Sequence, residues 1–338
     1  MTGTAPASPA TDPGDPGAAL TRRFGRELAR LWPEGARPGG GRLGLAVSGG
    51  PDSLALLLLC EAALPGRFEV ASVDHGLRAE SAAECAMVRE LCAARDIPCA
   101  ILPVRVGRGN VQSRARAARY AALAEWAARA GLSAIATAHH ADDQAETLLM
   151  RLNRGSGAAG LAGVRGRGAI AGGTVPLVRP LLPFRRAELA GLVRAAGLAA
   201  ADDPSNRDDR FDRVRIRRAL ADADWLDIAG LSVSAAHLAD ADEALDWAAH
   251  REWNERVVLT ATEIRYRPLA PRAIMLRVLE RAIAHFGGTP RGQSLARLAA
   301  KLERGESGNL AGVLARADGD GWRLTPEPPR RTGGKARD

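Results

Sequence analysis

Ser48-Gly49-Gly50-Pro51-Asp52-Ser53 follows the apolar run Leu43–Val47 and leads into a helix-forming apolar stretch, Leu54–Ala63. The two glycines allow a tight turn that brings backbone N–H groups close to an anion, and a helix starting there aims its partial positive end at the same spot. Ser48 and Ser53 add hydroxyl donors. A Gly-x-x-x-x-Gly-Lys-Ser/Thr loop is a different pattern, and the first lysine of this chain is Lys301. The segment reads as a phosphate cradle without a lysine; an ordinary Ser/Gly turn is the alternative.

A second chemistry-bearing string is His139-His140-Ala141-Asp142-Asp143-Gln144-Ala145-Glu146-Thr147. Asp143 and Glu146 are three apart and share a helix face. Paired carboxylates beside a triphosphate cradle suit a hard cation such as magnesium, or the ammonium of an amine substrate. Capping of the helix N-terminus competes as the reading of Asp142. The two histidines lack further ligands at zinc-binding spacing, so one is expected to face a nucleotide and the other to pack structurally. Asp74-His75 closes a third apolar run, Phe68–Asp74. Arginines cluster at Arg114, Arg116 and Arg119, and again at Arg207, Arg210, Arg213, Arg215, Arg217 and Arg218 among Asp208, Asp209 and Asp212. They fit phosphate contacts; a solvated basic face and a salt-bridged helix are the competing readings.

These groups need elements to hold them. Between residues 43 and 153 apolar strand candidates alternate with helical patterns: Leu43–Val47, Phe68–Asp74, Cys99–Val104 and Ser133–Ala138 precede helices at Asp52–Ala63, Ala79–Arg95, Gln112–Ala130 and Ala141–Asn153. Such alternation predicts an α/β fold, a parallel sheet with helices on both faces, whose ligands bind beyond the carboxyl ends of the strands. The three polar strings sit at three such ends. A glycine-rich stretch, Arg154–Gly173, exceeds a routine connector and is expected to be functional or disordered, its Arg154–Gly163 part being a candidate closing loop. From about Ile228 the pattern turns helical, with a small hairpin expected over Asn309–Arg316 and Gly321–Thr325. The expected organisation is a disordered leader over 1–20, a catalytic domain over 21–222, a smaller, mainly helical domain over 223–326, and a flexible basic tail over 327–338.

Composition narrows the class. The chain has 338 residues, 46% hydrophobic, with 47 basic against 39 acidic side chains and a net charge of +8. A polyanionic partner is expected, although an aromatic content of 4% argues against an extended stacking platform for single strands. Cys60, Cys85, Cys92 and Cys99 form no C-x-x-C pair and read as structural thiols in a reducing compartment. Without a signal-peptide core or a transmembrane-length apolar run, a cytoplasmic protein with no membrane partner is expected.

SGGPDS at 48–53 resembles the PP-loop of ATP pyrophosphatases, which cleave ATP to AMP and pyrophosphate. The ordered strings VDHGLR (73–78), ARAARYAAL (115–123), HHADDQAETLLMRLNRGSGAAGLAGV (139–164), RPLLPFRRAEL (179–189) and DPSNRDDRFDRVRIR (203–217) resemble the signature of the tRNA(Ile)-lysidine synthases. The resemblance implies a Rossmann-like PP-loop domain and a helical domain that contacts tRNA. It implies adenylation of the wobble cytidine of a CAU-anticodon tRNA(Ile) with ATP and magnesium, then displacement of AMP by free L-lysine. On that reading Ser48, Gly49, Gly50, Pro51, Asp52, Ser53, Asp74, His75 and His139 bind ATP, Asp52 binds magnesium or positions the loop, and a metal role for Asp143 stays open. Asp143 and Glu146 receive lysine and, with Asp52, form the catalytic set; Arg114, Arg119, Arg154, Arg213, Arg215 and Arg217 contact tRNA or phosphate. A homodimer is allowed for. A PP-loop tRNA thiolase is an alternative, disfavoured because the cysteines are expected away from the site; a non-catalytic RNA-binding protein is another.

Overall fold

The computed structural model describes residues 16–35, 37, 39–76, 79–105, 111–170, 172–201 and 212–328. Leu77, Arg78, Arg207, Arg210 and the aspartates Asp208 and Asp209 lie outside the described residues, as do most of the expected leader and tail. Two compact units divide at Ala239/Asp240.

The first unit runs α1 (Pro16–Leu31), β1 (Arg42–Ala46), α2 (Pro51–Ala63), β2 (Phe68–Asp74), α3 (Ala79–Ala93), β3 (Cys99–Pro103), α4 (Val111–Arg129), β4 (Leu132–Ala136), α5 (Ala141–Asn153), α6 (Ala158–Leu161), β5 (Arg167–Ala169), β6 (Pro176–Val178), α7 (Arg186–Ala195) and α8 (Asp212–Ala221). Its sheet has the order β3-β2-β1-β4-β6-β5, parallel except for β5 against β6. The expected α/β architecture is present, with a short antiparallel edge added.

Strand order reverses direction beside β1, between β2 on one side and β4 on the other, so the crevice opens at the carboxyl ends of β1 and β4. The central strands carry Leu43, Leu45, Val70, Ala134 and Ile135, all fully buried, as expected for a sheet covered on both faces. One face packs against α1, α2, α3 and α7 through Phe24, Leu28, Leu54, Leu57, Val88 and Leu189. The other packs against α4 through Leu123, Trp126 and Ala127. Helix α2 is apolar nearly all round and correspondingly buried.

The glycine-rich stretch is not simply a free loop. It contains α6 and β5, and buried Gln144 of α5 clamps it: Nε2 donates to Val164 O at 3.0 Å and Oε1 accepts from Val164 N at 2.8 Å. Gly163 sits in that clamp at φ +63°, and a Cβ there would lie 2.4 Å from Gln144 Oε1. The physical reason sequence reading missed this is that the ordering partner is a single polar side chain from another element.

Helix α9 (Ile228–Arg256) contains the dividing point. The second unit then adds β7 (Val257–Leu259), β8 (Ile264–Tyr266), α10 (Arg272–His285), α11 (Gly292–Glu303), β9 (Gly308–Leu310), β10 (Val313–Asp318) and β11 (Gly321–Pro326). Its five strands form one antiparallel sheet, β7-β8-β11-β10-β9, where only a hairpin was expected. Three of these strands span three residues, too few for a period-two pattern to register. Tyr266 and Trp322 meet edge to face at 5.6 Å in its core, and buried Glu252 accepts from Tyr266 Oη, Leu269 N and Ala270 N.

Leu57→Ala in α2 is expected to lower unfolding stability by about 3 kcal/mol, a full cavity penalty. Leu152→Ala, at an exposed position, should stay within about 0.5 kcal/mol of the parent. Urea unfolding midpoints check both.

Candidate active site

The strand β1 ends and the chain continues extended through Val47, whose N–H donates to Ala71 O at 2.9 Å. Gly49 then turns at φ +85°, and a Cβ added there would lie 2.7 Å from Met87 Cε. Glycine is favoured here by the sign of φ, whereas the Met87 methyl is the end of a flexible side chain that can move aside. Ser53 Oγ donates to Gly50 O at 2.9 Å and accepts from Ser48 N at 3.2 Å, locking the loop onto the first turn of α2. Pro51 suits the first helical position, and no side chain caps this end of the helix. The N-terminal N–H groups of α2 are thus presented to an anion.

A cavity of about 420 Å³ opens here, lined by Ser48, Gly50, Pro51, Asp52 and Ser53 from the loop, His75, His139 and Asp143 from the other strand ends, and Arg116, Arg119, Tyr120 and Arg213. Arg116 stacks on Tyr120 at 5.0 Å. The structure thus brings most of the expected nucleotide-contacting residues to one cavity. Gly49 shapes it from behind, and Arg114 points elsewhere, exposed on α4.

Asp74 has a different part from the one expected. Its Oδ1 accepts from Gly76 N at 3.0 Å and Ser81 Oγ at 2.8 Å, and these bonds, the hydroxyl first, lower its pKa. It builds the turn that carries His75, while Ser81 and His75 face the cavity. Cys85, expected away from the site, also lies on the cavity wall, 3.3 Å from Ser72 Oγ, its thiol pKa raised by burial.

Glu146 departs most from expectation. It is 1% exposed and does not line the cavity. Arg213 Nε donates to its Oε2 at 2.6 Å and Arg217 Nε to its Oε1 at 2.7 Å, both from α8. Arg213 also reaches Asp143 Oδ1 at 2.8 Å through Nη2. The carboxylates expected to await an ammonium are therefore countered by guanidinium groups, because an unpaired charge at this depth carries a large desolvation penalty. The salt-bridged reading of the arginine cluster holds for Arg215 too, which pairs with Asp212; Arg154 joins the same carboxylate at 2.8 Å.

His140, fully buried, is the N-cap of α5. Its Nε2 lies 3.3 Å from Asp52 Oδ2 and 3.5 Å from Asp143 Oδ2, and its Nδ1 3.6 Å from Asp142 Oδ2. Burial is the largest single influence and pulls the ring pKa down, but the neighbouring Asp142 and Asp52 carboxylates outweigh it and raise the value to about 9; Nε2 itself lies at ion-pair distance from Asp52 without a hydrogen bond of good geometry. Nδ1 cannot both carry that proton and accept from Asp143 N, and the latter contact is long at 3.4 Å. Three surrounding carboxylates favour the imidazolium. Asp142 is held by Arg186 N at 2.8 Å and by the Arg185 guanidinium; despite burial, its pKa is lowered, His140 being the chief lowering partner. His139 contrasts: burial, chiefly, lowers its pKa to about 4. Neutral His139 lies 3.0 Å from Thr137 Oγ1 through Nδ1.

Asp52 Oδ1 is buried and lacks a hydrogen-bond partner. A hard anionic oxygen in that condition, beside a phosphate cradle, fits a magnesium ion, which takes one or two carboxylates and completes its shell with phosphate and water. No group of three ligating side chains for an all-protein metal cage occurs among the described residues.

Gly49→Ala is expected to reduce ATP affinity at least tenfold and to cost about 1–2 kcal/mol of stability, from strained backbone; calorimetric titration and urea unfolding measure each. The two histidines predict opposite pH slopes in metal-free protein. His140, raised from 6.5 to about 9, contributes stability that is complete below about pH 6.5 and disappears as pH rises through 9, on the order of 3 kcal/mol. His139, lowered to about 4, contributes above about pH 6.5 and loses that contribution as pH falls toward 4. Unfolding at pH 5, 6.5 and 9 should therefore peak near the middle value, and His140→Asn should flatten the alkaline limb.

A PP-loop domain family matches residues 20–223. A tRNA(Ile)-lysidine synthase from Novosphingobium aromaticivorans is 54% identical over 297 residues, covering 86% of this chain and 91% of that protein. One from Zymomonas mobilis is 39% identical, covering 87% and 91%. Among solved structures, the U34-tRNA thiolase NcsA of Methanococcus maripaludis shares the fold, with a TM-score of 0.53 at 16% identity, covering 65% of this chain and 78% of that one. The chain belongs to the PP-loop family and, within it, to the tRNA(Ile)-lysidine synthases.

Proposed function

We propose that this protein ligates lysine to C2 of the wobble cytidine of a CAU-anticodon tRNA(Ile), through an adenylated cytidine, releasing AMP and pyrophosphate. The observation that carries the reading is one cavity holding an anion cradle, three carboxylates and several guanidinium groups in a chain 54% identical to a lysidine synthase. The cytidine C2 oxygen is a poor leaving group, so attack by an amine requires its prior conversion to an adenylate. The oxygen attacks the α-phosphorus of ATP and pyrophosphate departs; an amine of lysine then adds to C2 and AMP leaves.

In this reading Ser48, Gly50 and Ser53, with the amino end of α2, grip the β- and γ-phosphates. Asp52 would hold magnesium, which supplies positive charge to the departing pyrophosphate. Arg116, Arg119 and Arg213 oppose charge developing at the α-phosphate, fixed donors being effective because they need no reorganisation. His139, neutral and oriented by Thr137, presents a hydrogen-bonding nitrogen to the nucleotide. Asp143, on the cavity wall, receives the lysine ammonium; Glu146 acts behind it by orienting Arg213. The second unit contacts the tRNA, and the reaction takes place in the cytoplasm. No helix among the described residues is long and apolar enough to cross a membrane.

Labelled lysine should enter an unmodified CAU transcript only with ATP present, and Asp52→Ala should lower incorporation by at least 10³-fold. Incorporation of sulfur, or lysine transfer without ATP, refutes the assignment. Asp143→Asn should leave tRNA-dependent pyrophosphate release within about threefold of the parent while raising the KM for lysine about 30-fold, the loss of one charge-assisted contact. A defect confined to pyrophosphate release instead would move Asp143 to the adenylation half of the site.

A further inference from the structure

Asp52 belongs to the first turn of α2 and Asp143 to the first turn of α5, and both line the cavity. The His140 ring does not reach the cavity; it lies wholly buried, with Nε2 within 3.3 Å of Asp52 Oδ2 and 3.5 Å of Asp143 Oδ2. Its ring is the ion-pair partner of Asp52 among the described residues. On its other side, Nδ1 is 3.6 Å from Asp142 Oδ2, and Asp142 is anchored to α7 by Arg186 N and the Arg185 guanidinium. Asp143 Oδ2 in turn accepts from the His140 backbone N–H at 3.2 Å.

Carboxylates gathered this closely repel one another, and their side chains would rotate apart unless a cation or donor stood between them. We infer that His140 is a positioning residue: its buried ring fixes the separation and orientation of Asp52 and Asp143, and so couples the phosphate cradle to the carboxylate that receives the amine. The inference rests on the cavity being the adenylation and transfer site. His140 touches neither substrate; it acts through the two aspartates. Its imidazole is suited to this because one edge of a rigid ring, at Nε2, faces carboxylates from two helices at once while Nδ1 faces Asp142.

Cap and bridge are separable by mutation. His140→Asn keeps a good N-cap side chain for α5 but is too short to reach Asp52. His140→Gln extends an amide N–H toward the position of Nε2. The Asn variant should show native circular dichroism, KM values for ATP and tRNA within about threefold of the parent, and tRNA-dependent pyrophosphate release slowed about 100-fold, the scale for a misplaced catalytic group. The Gln variant should recover at least tenfold of that loss. Parental rates in His140→Asn, a loss confined to KM, or no advantage of Gln over Asn each overturn the inference.

A measurement independent of turnover separates this idea from the functional reading. In protein labelled selectively at histidine, Asp52→Asn should shift the His140 ring resonances while leaving those of His237, His250 and His285 in place. An unmoved His140 signal refutes the bridge whether or not the parent transfers lysine. A shifted signal in a parent that transfers none sustains the bridge and refutes the ligase reading.

Discussion

Everything at the site depends on the parallel pairing of β1 with β4, Leu43 with Ala134, Gly44 with Ile135 and Leu45 with Ala136. This is where strand order changes direction, so the chain leaves β1 and β4 on opposite sides of one crevice. The loop leaving β1 carries Ser48–Ser53, and the loop leaving β4 carries the histidines and leads to Asp143 on α5. Because side chains alternate along a strand, a slip of one residue in this pairing would bury the wrong set and misplace both loops. Burial of Leu43, Leu45 and Ile135 on the two faces makes such a slip unfavourable.

The second constraint is electrostatic. Asp52, Asp142, Asp143 and Glu146 crowd the edge of the crevice, and Glu146 is almost fully buried. Their charges are tolerated because His140 stands among the three aspartates and Arg213 and Arg217 from α8 hold Glu146. Removing one member of such a cluster leaves another buried charge unmatched, which is far more damaging than the net value of any one pair. The same network gives α8 a defined place against α5. It also gives Arg213 a fixed direction, with one edge on Glu146 and another on Asp143 at the cavity wall. Asp143 at the cavity wall is therefore a carboxylate already shared with a guanidinium, and any further cation there would compete with Arg213 for it.

Polar side chains organise the surroundings in the same way. Gln144 holds the glycine-rich stretch by three contacts to the backbone of Ala162 and Val164. Asp74 shapes the turn that presents His75. In the second unit Glu252 serves three donors from a buried position. In each case a polar side chain meets backbone groups, joined by a hydroxyl from Ser81 at Asp74 and from Tyr266 at Glu252, and the segment it bonds is thereby ordered.

The α/β class, the succession of strands and helices up to Asn153, and the cradle at Ser48–Ser53 were legible in the sequence, because they follow from local rules. Apolar periodicity marks strands and helices, and small residues between them mark an anion turn. Local order also placed Asp143 and Glu146 on one helix face. It could not say that Glu146 turns inward to Arg213 and Arg217, since those partners lie far along the chain. Nor could it show that Asp74 is spent on a turn, that Gln144 pins a glycine-rich loop, or that three-residue strands complete a second sheet. His140, passed over as a packing residue beside His139, is the clearest instance. Adjacent residues at a strand end point in opposite directions, and only the neighbours each one meets distinguish a ring on the cavity wall from a buried ring among three aspartates. The sequence by itself determined which chemical groups the protein owns and which element carries each. The tertiary structure alone decided which charges are matched, because matching depends on distances between segments that no local pattern encodes.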